Sequence, residues 1–400
     1  MGQNYHSILL LKNGNIKASG RNNYGQLGLN NTSNKDEFQN VLLQEVKQVE
    51  LGIDHTIFLL GDGTVKAVGR NLEGQLGIEN LENQSSIQNI AIQGVYQISC
   101  GQYNTFFLMR DGTVKAVGEN IEWQLVIDNN KNQSTIQNVP IEQVKQVATS
   151  GSHTIFLMKD GTVKSVGRNN EGQLGIGNTN KKSAIQDVAI NGVKQVSCGY
   201  YHTMFLMQDG GVKCVGYNYY GQLGIGNKLN QSTIQDVPIQ QVRQVVAGRY
   251  HTMFLMQDGS VKAVGHNAFG QLGIGITAEK STIQDVQING VKQVSCGYYH
   301  TMFLMEDNTV KSVGRNAYGQ LGIGNIADQS TINDVSVQDV SKLWDFFGAE
   351  RKNYSLIKNG PSYKRYRSEV KRIMTKDTSY TEGVLYRAPL IKQAKSLTLN

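Results

Sequence analysis

Residues 248–273 read GRYHTMFLMQDGSVKAVGHNAFGQLG, and this line of residues recurs seven times along the chain. Two markers within it recur every 49 residues, without insertion or deletion. The histidine of the His-Thr step falls at His6, His55, His153, His202, His251 and His300, with Asn104 in the remaining copy. The first residue of the Gly-Gln-Leu-Gly step falls at Gly25, Gly74, Trp123, Gly172, Gly221, Gly270 and Gly319. Such a period indicates stacked or radial units that cannot bury their apolar faces alone.

Each copy predicts four short antiparallel strands. In one copy they cover residues 242–248, 251–256, 260–265 and 281–288. They are rich in β-branched residues and bounded by glycine. Asp258-Gly259 predicts a two-residue hairpin turn with positive φ at both positions. Four strands repeated radially indicate a β-propeller blade. A helical solenoid is excluded, because no window has a 3.6-residue apolar period.

The pattern G-x-x-H-T, then D-G-x-V, then N-x-x-G-Q-L-G resembles the repeat of the regulator-of-chromosome-condensation family. The resemblance implies a seven-bladed propeller over residues 1–348 and leaves residues 349–400 as a separate tail. The chain departs at one position in each copy. Where the family often has an aromatic residue before the glycine that closes the third strand, this chain has Ser19 and six valines.

The two ends of the repeat region predict how the ring closes. The first copy starts on its second strand, at His6, so its first strand is missing. Residues 340–348 (VSKLWDFFG) follow the last copy in the register of that missing strand. We therefore expect an all-β, seven-bladed β-propeller of four-stranded antiparallel blades. A C-terminal strand would complete the first blade and remove two open sheet edges.

The tail differs sharply in charge. Residues 351–400 hold 12 Lys and Arg against 3 Asp and Glu, out of 39 and 32 in the whole chain. We expect a partly helical basic segment that docks on its own propeller or on a neighbouring subunit of an assembly. The side chains expected to make this contact are Arg365, Arg367, Lys371 and Arg372. Nucleic acid is a less favoured partner, because no recognised motif is present.

No pattern in the sequence predicts catalysis. One histidine per blade at matching positions indicates a structural hydrogen bond rather than a metal site, because zinc ligands must converge on one ion. The lysine that recurs on each third strand predicts a solvated face or, alternatively, a basic ring for an acidic ligand. We expect no enzyme activity, metal or cofactor. The chain shows no signal peptide and no apolar run long enough for a membrane span, which predicts cytoplasmic synthesis.

The differences between copies predict a binding face. The first-to-second and third-to-fourth strand loops should emerge on one side of the ring, because successive strands alternate in direction. From residue 199 onward these loops are aromatic. The predicted ligand-face residues are Tyr200, Tyr201, Tyr217, Tyr219, Tyr220, Arg249, Tyr250, His266, Phe269, Tyr298, Tyr299, Arg315 and Tyr318. Tyrosine and arginine are enriched in interfaces, although inter-blade packing would also explain the tyrosines.

Two further features bear on this face. Earlier copies carry Asp54, Glu73, Glu122 and Glu171 at matching sites, which predicts an acidic sector opposite the aromatic one. In the irregular third copy, Trp123 and Val126 replace the two glycines of Gly-Gln-Leu-Gly. Trp123 is either drift in a tolerant loop or an anchor for a partner.

Three functions remain open from the sequence. The first is a non-enzymatic binding propeller for a protein or a surface glycan. The near-identical repeats resemble those of AT-rich bacteria and their phages, which suggests a virion tail or receptor-binding component. The second, implied by the family's founding member, is a guanine-nucleotide exchange factor or chromatin-associated regulator. The constant spacing leaves no insertion for the wedge that this activity would use. The third is an enzyme with its active site in the central channel, but no set of residues in the sequence indicates one.

Overall fold

The computed structural model describes residues 6–127 and 129–344, and these residues form seven four-stranded antiparallel sheets. The sheets are blades 1 to 7, and the strands of a blade are a, b, c and d from the axis outward. Blade 1 contains β1 (His6–Leu11), β2 (Ile16–Gly20) and β3 (Lys35–Val41). Blade 2 contains β4 (Val46–Leu51), β5 (His55–Leu60), β6 (Val65–Gly69) and β7 (Gln84–Ile90). Blade 3 contains β8 (Val95–Cys100), β9 (Asn104–Met109), β10 (Val114–Gly118) and β11 (Gln133–Val139).

The later blades repeat this plan. Blade 4 contains β12 (Val144–Thr149), β13 (His153–Met158), β14 (Val163–Gly167) and β15 (Lys182–Val188). Blade 5 contains β16 (Val193–Cys198), β17 (His202–Met207), β18 (Val212–Gly216) and β19 (Gln231–Val237). Blade 6 contains β20 (Val242–Ala247), β21 (His251–Met256), β22 (Val261–Gly265) and β23 (Lys280–Val286). Blade 7 contains β24 (Val291–Cys296), β25 (His300–Met305), β26 (Val310–Gly314) and β27 (Gln329–Val335).

The last strand, β28 (Val340–Trp344), supplies the missing strand a of blade 1. It pairs antiparallel with β1, and the pairs include Leu9 with Leu343 and Leu11 with Val340. The predicted closure is therefore confirmed, as is the seven-bladed all-β fold. The predicted extension of this strand beyond residue 344 lies outside the described residues. So do the predicted basic tail and its contact residues Arg365, Arg367, Lys371 and Arg372. Within the described residues, no helix is long and apolar enough to cross a membrane.

The core lies between consecutive blades. Strand b, with the sequence HTMFLM in blade 6, is buried along its whole length, because neighbouring blades cover both of its sides. Leu255 and Val261 of blade 6 pack in one cluster with Val294 and Phe303 of blade 7. Strand d is the outer strand, and most of its residues are partly or fully exposed. This difference explains why strand b is continuously apolar in sequence and strand d is not.

The hairpin between strands b and c differs from the predicted two-residue turn. Of the Asp258-Gly259 pair, only Gly259 has positive φ, at +85°. Met256 N donates to Ser260 O at 2.9 Å, so the loop holds three residues and ends on a glycine in the left-handed region. The Asp258 carboxylate instead accepts hydrogen bonds from the backbone N–H and the hydroxyl of Ser260, at 2.9 and 2.7 Å. The aspartate is thus a turn residue, as expected.

The loop between strands c and d clamps each blade to the next. In blade 6 the buried Asn267 accepts from Leu272 N at 2.9 Å and donates to Ile276 O at 2.7 Å. A Cβ on Gly270 would lie 2.3 Å from Ser330 Cα in the next blade. Blade 3 keeps the same loop conformation with side chains at both glycine positions. Trp123 and Val126 have φ of +64° and +60°, values that L-residues rarely adopt.

Candidate interaction surface

The a–b and c–d loops lie on one face of the ring, which we call the aromatic face. The rings of Tyr201 and Tyr217, one from each loop type, are 6.2 Å apart. The rings of Tyr217 and Tyr250, from neighbouring blades, are 5.7 Å apart. These contacts confirm that both loop types emerge together, as the alternating strand directions require. The b–c hairpins and d–a loops form the opposite face, which we call the hairpin face.

The axis of the ring is filled by side chains at the aromatic face. Ile53 of blade 2 and Tyr298 of blade 7 pack together and are 1% and 0% exposed. Gln102 Nε2 of blade 3 donates a hydrogen bond to the Tyr298 hydroxyl across the ring. We call these three residues the axial plug. Tyr298 was expected on the ligand face, but it is fully buried here, because the first residue of its loop points to the axis.

Arg249 lies at the centre of the tyrosines. Its guanidinium carbon is 4.8 Å from the ring centroids of Tyr200 and Tyr250, and 4.5 Å from that of Tyr298. Nη1 also donates to the Tyr299 hydroxyl at 2.8 Å. Cation–π contacts of this kind stabilise a partly buried guanidinium. Arg249 therefore holds the tyrosines in place and does not project as a separate charge.

A continuous series of ring contacts runs outward from this centre. Its members, which we call the aromatic arc, are Tyr200, Tyr201, Tyr217, Tyr219, Tyr220, Tyr250, His266, Phe269 and Tyr299. Adjacent centroids lie between 4.1 Å, for Tyr200 and Tyr201, and 6.2 Å, for Tyr201 and Tyr217. Most members are half-buried against one another, but Tyr219 is 62% exposed. The arc is thus an inter-blade packing layer that also presents aromatic surface to solvent.

The arc itself is uncharged at neutral pH, and the positive charge beside it belongs to Arg249 and Arg315. Burial raises the pKa of Tyr217 and of Tyr250 to about 12, so both hydroxyls stay protonated and can donate hydrogen bonds. Burial lowers the pKa of His266. Its Nδ1 accepts from Gln271 Nε2 at 2.6 Å, which leaves Nε2 as the protonated nitrogen. The surface therefore offers ring faces and neutral donors.

The predicted acidic sector is largely neutralised, which corrects the sequence-based expectation. Arg70 pairs with Glu73 at 2.8 Å and Arg168 lies 3.8 Å from Glu171. The remaining two predicted carboxylates are also matched: Arg21 pairs with Asp54 at 3.2 Å and Lys181 with Glu122 at 3.1 Å. Burial raises the pKa of Asp54 to about 6 and that of Glu119 to about 7. The sector is a mixed-charge network rather than an acidic surface.

The remaining predicted contact residues fall in two places. The Arg315 guanidinium lies 4.6 Å from the Phe269 ring, and the Arg21 guanidinium lies 5.5 Å from the Tyr318 ring, so these groups border the arc. Trp123 is half-buried on blade 3, apart from the arc on blades 5 to 7. The structure therefore does not bring Trp123 together with the other predicted contact residues.

The strand-c lysines are cross-strand partners of strand d. Lys213 and Lys262 form ion pairs with Asp236 and Asp285, which stand opposite them in the sheet. Lys66 donates to Asn89 Oδ1 at 2.6 Å in the same register. A free basic ring on strand c was one sequence-based alternative, and these pairings contradict it. Within the part of the chain that the structure describes, no three His, Cys, Asp or Glu side chains are placed to hold a metal ion.

The fold and its repeated junctions define a seven-bladed propeller built from 49-residue blades. The family model described as the RCC1-like domain matches residues 83–350, and the regulator of chromosome condensation (RCC1) repeat matches residues 2–26 and 46–75. The chain belongs to this RCC1-like family. No protein of curated function gives a significant sequence match.

Two solved structures are similar in fold. Prp20p from Saccharomyces cerevisiae is 18% identical, with a TM-score of 0.77 over 91% of this chain and 97% of that chain. Its structure is described together with its binding properties to Gsp1p and histones. Human WBSCR16 is 21% identical, with a TM-score of 0.75 over 86% of this chain and 97% of the other. At these identities the likeness concerns the fold alone.

Proposed function

We propose that the protein is a non-catalytic binding propeller that presents its aromatic arc to a protein partner. The observation that carries this proposal is the restriction of the arc to blades 5 to 7. All blades have the same backbone conformation. If the tyrosines had a purely structural role, we would expect them at the same loop sites in every blade. At the site of Tyr201, Tyr250 and Tyr299, blade 2 has Asp54 and blade 4 has Ser152. Blade 3 also has a tyrosine there, Tyr103, but it packs on the axial plug and under the Arg70 guanidinium, 4.4 Å from its ring centroid.

The chemistry of the arc supports a protein partner. Rigid aromatic side chains lose little conformational entropy on binding, and tyrosine combines a large apolar face with a polar tip. The exposed Tyr219 would act as an anchor, with Tyr217 and Tyr220 beside it at 6.3 and 5.1 Å between centroids. Binding of Gsp1p and histones by the structurally similar Prp20p also agrees with a protein partner. Aromatic rings also stack on sugars. A surface glycan is therefore the alternative ligand that the test must distinguish from a protein.

The exchange-factor alternative is the one that the family resemblance implies, and the structurally similar Prp20p is described with Gsp1p. The sequence counts against it, because all seven copies keep the 49-residue spacing and leave no inserted wedge. The suggestion of a phage tail or other virion component rests only on the amino-acid sequences of the repeats, which resemble those of AT-rich bacteria and their phages. We therefore place a scaffold or docking role first.

Site-specific photocrosslinking tests the proposal. A photoreactive phenylalanine derivative replaces Tyr219 in the full chain, produced in the cells from which the sequence comes. The matched control is Ile121, which stands at the same position of the c–d loop in blade 3 and is 55% exposed. We expect discrete protein adducts from position 219 and not from position 121. Identical adducts at both positions, or adducts only at 121, would refute a protein-binding arc. Labelling of glycans alone would assign the arc to sugar.

A further inference from the structure

The innermost strand of every blade begins with a β-bulge near the hairpin face. In blade 2 the register shifts between Val46 and Gln48, which leaves Lys47 as the extra residue. In blade 6 the shift lies between Val242 and Gln244, around Arg243. The seven bulged residues are Lys47, Tyr96, Lys145, Lys194, Arg243, Lys292 and Ser341. We call them the bulge ring, and five of the seven are cations.

The bulge ring surrounds the axis. The next residue in blade 2 is Gln48. Its Nε2 donates to Ile98 O in the next inner strand at 2.9 Å, and its Oε1 accepts from Ile98 N at 3.1 Å. Gln244 bonds in the same way to Val294, at 3.2 and 3.1 Å. The inner strands of neighbouring blades are therefore in direct contact around the axis. Because the bulged residues precede these glutamines, they lie around the axis at the hairpin-face end of the inner strands, which we call the rim.

Two of the cations, Lys47 and Arg243, reach the next blade along this rim, whereas Lys292 Nζ donates to Asn308 Oδ1 of its own blade at 3.3 Å. Lys47 Nζ donates to Tyr96 O at 3.1 Å and lies 5.1 Å from the Tyr96 ring centroid. Arg243 Nη2 donates to Val291 O at 2.8 Å and to Lys292 O at 3.1 Å. Lys145, Lys194 and Arg243 are exposed. Burial, together with the nearby cations Arg110 and Lys342, lowers the pKa of Lys47.

Carboxylates near the rim do not neutralise it. Within residues 6–127 and 129–344, no ion pair joins the five cations of the bulge ring to a carboxylate. Glu45, Glu142 and Glu306 lie in the adjoining loops, and Asp339 pairs with Lys12 at 3.4 Å. Deeper in the axis, Glu50 accepts from Gln48 Nε2 at 2.9 Å. The hairpin aspartates hold their own turns, as Asp258 does.

We propose that the bulge ring binds a compact anion that carries several phosphate groups. Five of the seven inner strands carry a cation where they begin, around a common axis, so one compact ligand can contact several of them at once. A linear polymer crossing the face would reach only the cations on its path. Arginine and lysine both bind phosphate well, the former through two parallel N–H groups. The axial plug fills the other end, so the ligand enters from the hairpin face. A free polyphosphate and a multiply phosphorylated peptide offer the same chemistry.

The test is calorimetric titration of the full chain with inositol hexakisphosphate, with inorganic tripolyphosphate and with a triply phosphorylated peptide. The ring variant combines Lys145→Gln, Lys194→Gln and Arg243→Gln. The control combines Arg365→Gln, Arg367→Gln and Lys371→Gln, which removes the same charge from the basic tail. We expect one site per chain and at least a tenfold weaker Kd in the ring variant, because each lost contact to a charged group is worth about tenfold. The tail control should bind like wild type.

A gain-of-function variant protects the test against misfolding. Tyr96→Lys fills one gap in the ring and should tighten binding, while melting curves report whether each variant is folded. The proposal is overturned if the folded ring variant binds like wild type, or if the tail control loses affinity equally. The proposal is also overturned if a short single-stranded oligonucleotide or an oligoglutamate peptide binds more tightly than the phosphate probes and loses affinity in the ring variant. The ligand would then be an anionic polymer. Preference between the three phosphate probes distinguishes a free ligand from a phosphorylated peptide.

Discussion

His300 Nε2 lies 3.0 Å from the Ser7 hydroxyl and joins the last blade to the first. Ser7 Oγ donates in turn to Gln320 O at 2.8 Å, so the imidazole must donate to the hydroxyl through a protonated Nε2. Within the ring, His251 meets the Thr301 hydroxyl at 3.2 Å, and Thr301 donates to Gln271 O at 2.8 Å. The same relay crosses other junctions, from His6, His55, His153 and His202 to the next blade's threonine.

These buried histidines predict that acid destabilises the ring. Burial lowers the pKa of His6, His55, His153 and His202 to about 3, and that of His251 falls well below its usual 6.5. The unfolded chain therefore takes up protons near pH 6.5, whereas the folded chain does not until about pH 3. The free energy of unfolding is fully present above pH 6.5 and falls as pH drops. At pH 5 each histidine should cost about 2 kcal/mol.

Two carboxyls, the buried Asp54 and the half-buried Glu119, act in the opposite direction. The raised pKa values of Asp54 and Glu119 favour the folded state as pH falls from 7, but two carboxyls only partly offset five histidines. Chemical denaturation at pH 7.5, 6 and 5 measures the balance. We expect a steep fall in the free energy of unfolding over this range. A constant or rising value would show that the histidines are not buried in neutral form.

Ring closure predicts a difference between two truncations. A chain ending at residue 350 keeps β28, whereas a chain ending at residue 339 loses Val340 and Leu343, both fully buried, and exposes the edge of β1. The shorter chain should lose cooperative thermal unfolding, because an open ring leaves blades 1 and 7 unsealed. The longer chain should melt as one unit. Equal melting temperatures for both truncations would refute closure by β28.

The glycine that ends strand c predicts a steric requirement in every blade. Gly265 has φ of +109°, and a Cβ there would lie 2.6 Å from Tyr250 O and 2.8 Å from His251 Cα. Gly275 also has positive φ, at +75°, but has no neighbour within 4 Å. Both alanine variants should lose about 1 kcal/mol from backbone strain, and Gly265→Ala should lose about 2 kcal/mol more from the clash. Equal losses in denaturant titrations would show that the backbone relaxes freely.

The sequence predicted the fold because its period and its loop residues have local causes. The His-Thr and Gly-Gln-Leu-Gly steps recur wherever one blade must be joined to the next. It did not distinguish Tyr298 from Tyr299, which are identical neighbours in one loop. Only the closed ring directs the first to the axis and the second outward. The Arg70 and Glu73 pair could have been inferred from its spacing of three residues.

Other features depend on register, which sequence patterns specify poorly. The pairing of Lys262 with Asp285 requires the alignment of strands c and d. The bulge ring was missed because residues such as Lys145 and Lys194 read as ordinary solvated positions of an alternating strand. A bulge in each inner strand places them on the rim around the axis instead.

The affinity of the partner crosslinked at position 219 tests the central claim most directly. We compare wild type with Tyr217→Ala/Tyr219→Ala and with Leu72→Ala/Ile121→Ala, which removes exposed apolar groups from the c–d loops of blades 2 and 3. The tyrosine variant should stay folded and bind at least about thirtyfold more weakly, the effect of losing one hot spot worth ~2 kcal/mol. The control should bind like wild type. Unchanged affinity in the tyrosine variant, or an equal loss in the control, would contradict a binding function for the aromatic arc.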